Sequence, residues 1–112
     1  MARGGEYSIP DSVRDRRGHW IYLTWERWEH IFDEHPEVRD YKHHVFEAIR
    51  RGRRFQDSIR PDVYLYYQDR ADLPRGNTTV VVVVRFGYNQ DATENNFILT
   101  AYYVMRRRAT SR

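Results

Sequence analysis

Five histidines, nine tyrosines and an arginine-dominated set of 19 basic residues supply most of the side chains in this 112-residue chain that could move a proton or hold a phosphate. Two of the histidines, His30 and His35, lie in the segment Thr24-Trp25-Glu26-Arg27-Trp28-Glu29-His30-Ile31-Phe32-Asp33-Glu34-His35. At helical pitch, Trp28, Ile31, Phe32 and His35 share one side, and His30 lies on the other with Glu26 and Glu34 as its neighbours one turn away. Each imidazole is a candidate general acid or base. Each also has a plain structural use, His30 as a surface residue and His35 as a ring closing the helix end.

The second segment of interest is Phe97 to Arg106. Strand alternation puts Ile98, Thr100, Tyr102, Val104 and Arg106 on one face. Phe97, Leu99, Ala101, Tyr103 and Met105 fall on the other, which is uniformly apolar and is expected to meet the helices. The first face offers a hydroxyl, a phenol and a guanidinium in line, a set that can hold a phosphate and stack a base. Tyr64 and Tyr66, at alternate positions, are expected to extend this surface, with Arg60, Arg85 and Arg107 adding positive charge. An ordinary half-polar sheet face would look the same in sequence, because Thr and Tyr are good strand formers.

These residue types suffice for one reaction without a metal. RNA carries its own nucleophile, so a base to assist the 2′-OH, a cation to stabilise the phosphorane and an acid to protonate the leaving oxygen complete the chemistry. No phosphate-cradling glycine loop, no GxSxG and no HExxH is present. His30 and His35, which with the pair His43-His44 could suggest a metal, do not share a face, and with no cysteine the expectation is no metal site and no cofactor.

The elements that must position these groups follow from period and punctuation. Residues 1–18 read as a basic, mobile arm or an edge segment. A strand is expected over 19–24. A helix from Trp25 to about His35 has Thr24 as N-cap and Pro36 as its stop. A second helix is expected from Pro36 to Arg51, with Val38, Tyr41, Val45, Phe46, Ala48 and Ile49 at helical spacing and Gly52 as terminator. Strands follow over 55–60, 62–69, 78–86 and 97–106. The order β-α-α-β-β-β-β predicts an α+β domain over 19–108, with a four- to five-stranded, mostly antiparallel sheet, both helices on one face, and a tail over 109–112.

Composition sets the outer bounds. The length fits one domain, and 40% hydrophobic with 31% charged residues is globular composition. The longest apolar run, Val80 to Val84, is far short of the ~20 residues of a membrane helix. No signal-like segment is read, and the expected location is cytoplasmic, away from membranes. The net charge is +3. Lys42 is the sole lysine, and arginines cluster at 14/16/17, 50/51/53/54 and 106/107/108. Such forks suit phosphate, and interspersed acids leave a solvated surface as the bland alternative.

Leu23-Thr24-Trp25-Glu26-Arg27-Trp28-Glu29-His30-Ile31, His35-Pro36-Glu37, Val80–Val84 and Phe97-Ile98-Leu99-Thr100-Ala101-Tyr102 with Arg106 together resemble a group of small bacterial and phage proteins. That group looks like part of the barnase–EndoU–colicin–RelE class of metal-independent ribonucleases, which includes RelE-type and BrnT-type toxins. The resemblance covers about residues 20–107. It implies a RelE-like fold and an endoribonuclease toxin acting on tRNA or mRNA. His30 or His35 would be acid or base, Thr100 and Tyr102 phosphate or base contacts, and Arg106 the electrostatic stabiliser. It also implies an antitoxin or immunity protein as partner, and a homodimer stays open. Two other readings use the same surface: a non-catalytic nucleic-acid-binding module and a protein-interaction domain.

Overall fold

The computed structural model describes residues 11–106. These form an α+β domain with a mixed six-stranded sheet and two helices. In chain order the strands are β1 (Asp11–Arg14), β2 (Trp20–Leu23), β3 (Arg53–Gln56), β4 (Val63–Asp69), β5 (Thr79–Arg85) and β6 (Phe97–Val104). The helices are α1 (Trp25–Glu34) and α2 (Lys42–Arg51). The spatial order is β1-β2-β6-β5-β4-β3. All neighbours are antiparallel except β2 and β6, which run parallel and meet at one position, Tyr22 opposite Phe97. No helix among these residues is long and apolar enough to cross a membrane.

The expected strand count was one too low. Asp11–Arg14, within the segment read as an arm or an edge segment, is an edge strand that pairs with β2 and buries Val13 in the core. Its apolar content is a single valine, too little for period alone to reveal. The domain therefore reaches back to residue 11 at least; residues 1–10 and the tail lie outside the described residues.

Local chemistry explains where the elements stop. Thr24 Oγ1 accepts the Arg27 amide at 3.1 Å and opens α1. The chain leaves the helical region at His35, the residue before Pro36. The expected long second helix is broken. Pro36–Val38 forms one 3-10 turn, and α2 begins at Lys42. Val38 is fully buried as the anchor of that turn, so the chain must change direction before α2 can cross β4 and β5. The strand expected over 55–60 lies earlier, because Asp57 Oδ2 accepts the amides of Ile59 and Arg60 and closes a turn there.

The core lies on one face of the sheet. Trp28 and Ile31 of α1 and Val45, Ala48 and Ile49 of α2 pack with Val80, Val82, Val84, Tyr66, Ile98 and Ala101. Leu99 is an extra residue in β6: Val84 faces Ile98, whereas Val83 faces Thr100. This bulge puts Ile98 in the core beside Ala101 and Tyr103, and leaves Thr100, Tyr102 and Val104 on the opposite face.

Candidate functional site

The register of β3–β6 determines what that opposite face carries. Arg53, Tyr67, Val81 and Tyr102 form one row across four strands, and Phe55, Leu65, Val83 and Thr100 form the next. Tyr67 and Tyr102 flank Val81, so their backbones are two strand spacings, roughly 9–10 Å, apart. No helix covers these rows, because both helices pack on the core side. Phe55 is 51% exposed and meets the Tyr67 ring edge-on at 5.5 Å between centroids.

Groups from the flanks complete the site. Beyond Tyr22–Phe97, α1 lies alongside the outer edge of β6, with Arg27 reaching the Leu99 carbonyl at 3.5 Å. The C-terminal end of α1 thereby brings His35 over Tyr102, ring on ring, with centroids 5.4 Å apart and planes 26° from parallel. His35 is one-third exposed, and its Nδ1 lies 3.7 Å from the Glu37 carboxylate. That separation is too long for a hydrogen bond, and neither ring nitrogen of His35 has a hydrogen-bond partner among the described residues. Burial raises the Tyr102 phenol above its usual range, and the Tyr67 phenol adds to this. Tyr102 therefore keeps its proton at neutral pH. On the other flank, the Arg106 guanidinium sits 5.0 Å from the Tyr67 ring centroid, and its backbone amide is held by Thr78 Oγ1 at 2.9 Å.

Of the expected set, the structure brings His35 and Tyr102 together and places Arg106 on the same face but against Tyr67, two strands away. Thr100 shares their face, but its Oγ1 is shielded from solvent and has no hydrogen-bond partner among the described residues. A phosphate reaches that hydroxyl only after the side chain rotates. His30 does not join the site: it projects from α1 into solvent, 59% exposed, with Glu34 at 3.4 Å.

The expected extension through Tyr64 and Tyr66 is overturned by strand parity. Both face the helix side. Tyr66 is 1% exposed with its hydroxyl on Asp15, and Tyr64 packs against Phe86 beneath Arg54. Arg60 sits in the Asp57 turn rather than on a strand. Arg85 is on the open face, one strand step beyond Val83, but is paired to Asp62 at 3.1 Å. Arg107 lies outside the described residues.

Four contributors were not read from sequence: Tyr67, Arg53, Phe55 and Glu37's place beside His35. The strand Val63–Asp69 carries tyrosines on both faces, and only cross-strand register tells which pair is open. His43 and His44 contact each other, but among the described residues no three His, Asp or Glu side chains converge as metal ligands. Comparison with family models, curated proteins and solved structures yields no significant match.

Proposed function

We propose that this protein is a metal-independent endoribonuclease acting on the open face of its sheet. One observation carries the reading: His35, with the Glu37 carboxylate 3.7 Å from its Nδ1, is stacked on Tyr102 at the rim of a face that no helix covers and that bears arginines and aromatic rings. His35 Nε2 takes the proton from a ribose 2′-OH as its oxygen attacks phosphorus. Tyr102 donates a proton to the departing 5′-oxygen. The O2′–P bond forms, the P–O5′ bond breaks, and the products are a 2′,3′-cyclic phosphate and a 5′-hydroxyl. Arg106 and Arg53 offset the charge of the phosphorane, and Tyr67 and Phe55 stack neighbouring bases. The sequence resemblance to RelE-type and BrnT-type toxins agrees with this chemistry. On that reading an acidic antitoxin or immunity protein covers the same face until released.

Purified protein incubated with total RNA in EDTA should yield fragments ending in cyclic phosphate. His35→Ala should lower the rate by ~10²–10⁴-fold, the scale of a lost general base, whereas His30→Ala should leave it unchanged. Salt-sensitive RNA binding without fragments would instead identify a non-catalytic binding module. A wild-type sample that neither cleaves nor binds RNA ends the proposal.

A further inference from the structure

A concave feature lies away from His35 and Tyr102. It is a cleft of about 550 Å³ between the β1–β2 turn and the start of β3, with Asp15, Arg16, Arg17, Arg53, Arg54 and Tyr66 in its walls. The turn is built to hold its shape. Gly18 takes φ +91°, its amide bonds the Asp15 carbonyl, and Asp15 Oδ1 accepts the amides of Arg17 and His19 at 3.0 and 2.8 Å. Asp15 Oδ2 accepts the Tyr66 hydroxyl at 2.6 Å, which ties the turn to β4. Asp15 is only 6% exposed, and three donors already occupy its two oxygens.

Four arginines therefore border this cleft with a single carboxylate, and that carboxylate is committed to the fold. None of the four forms an ion pair with a carboxylate among the described residues. Arg54 is held in place by stacking, 4.2 Å from the Tyr64 ring centroid and 5.5 Å from that of Phe86. Arg16 and Arg17 face it from the turn. Like charges gathered in a concave site repel one another, and a polyanion relieves that repulsion. Guanidinium forks match phosphate oxygens two at a time. The volume lies within the range of small-ligand sites, ~300–1,000 Å³.

We propose that the cleft binds a ligand carrying two or more adjacent phosphates. Either the polyphosphate of a nucleotide or successive backbone phosphates of RNA supplies that chemistry. The cleft shares Arg53 and Phe55 with the face proposed for cleavage, so its test rests on Arg16 and Arg17, which the cleavage reading does not use.

Inorganic tripolyphosphate, titrated by calorimetry at moderate salt, is the direct probe. It should bind saturably to the wild type. The double variant Arg16→Ala/Arg17→Ala should weaken it by about tenfold or more, the scale of one lost charge-assisted hydrogen bond. Alanine keeps the Arg17 amide that Asp15 holds, so the turn survives, and circular dichroism checks this. The control Arg39→Ala/Arg75→Ala removes equal charge from other surfaces and should change affinity less than about twofold. A short uridine oligoribonucleotide then separates the sources. Displacement of the oligonucleotide by tripolyphosphate assigns the cleft to RNA backbone, and binding of ATP without such competition assigns it to a nucleotide. Both results support the site. Absence of saturable tripolyphosphate binding, or equal weakening by the control variant, overturns it. RNA cleavage by a protein that fails this titration would leave the nuclease reading intact.

Discussion

His44 shows how a single side chain can tie stability to pH. It is 1% exposed, with Nδ1 2.8 Å from the Tyr103 hydroxyl and Nε2 3.6 Å from Asp72. Tyr41 stacks on it, and His43 and Arg70 lie nearby. Burial holds its pKa below the ordinary 6.5, and the Arg70 and His43 charges push the same way, only partly opposed by Asp72. The native state thus resists a proton that the unfolded chain accepts. On the acid side of pH 6.5, down to the lowered native value, the unfolded state binds more protons, so stability falls as pH falls. Urea titrations should show His44→Gln with a flatter dependence on that side than the wild type. An unchanged slope would mean that other groups govern the acid limb. At the same scale, Tyr66→Phe deletes the donor to buried Asp15 and leaves a carboxylate oxygen without its partner. A loss of about 1–3 kcal/mol is expected from the urea midpoint.

Among the elements, the junction of α2 and β3 depends on Gly52. Gly52 ends α2 as expected, with extended backbone at φ −77° and ψ 173°. Its real constraint is space. A Cβ there would lie 2.3 Å from the Ala48 carbonyl oxygen and 2.5 Å from that of Tyr67. Both are backbone atoms and cannot swing aside. Gly52→Ala should therefore cost about 1–3 kcal/mol, read from the urea midpoint, and should displace Arg53 and Arg54. A fully stable alanine variant would show that the helix end has room to move. This junction illustrates what sequence can and cannot convey. The valine run, the Thr24 cap and Pro36 declare their elements through local propensity and capping. The bulge at Leu99, the parity of Tyr66 against Tyr67 and the seat of Asp15 depend on which strand lies beside which. The same limit split the candidate site. Tyr102 and Arg106 were legible from alternation along one strand, and His35 from its helix. Tyr67 and Arg53 join them only through pairing between strands distant in sequence.

For the molecule as a whole, the sheet is unevenly joined. β4, β5 and β6 share long antiparallel ladders, whereas β2 touches β6 at one parallel position. The β1–β2 hairpin is held mainly by Val13, Ile21 and Leu23 in the core and by Asp15 on Tyr66. Native-state hydrogen exchange should accordingly find β1–β2 amides opening at a lower free energy than those of β5. Equal protection throughout would mean that the sheet opens only as one unit.

The bond between Asp15 and Tyr66 also joins segments that are distant in the chain. Its two ends are 51 residues apart in the chain, and both helices lie between them. A loop of that length closes late, after local contacts have formed. An intermediate with both helices and the valine ladder already native would still lack the pinned arginine turn. Anion capture by that cleft would then mark completion of folding, and a polyphosphate present during refolding would act on the final step alone.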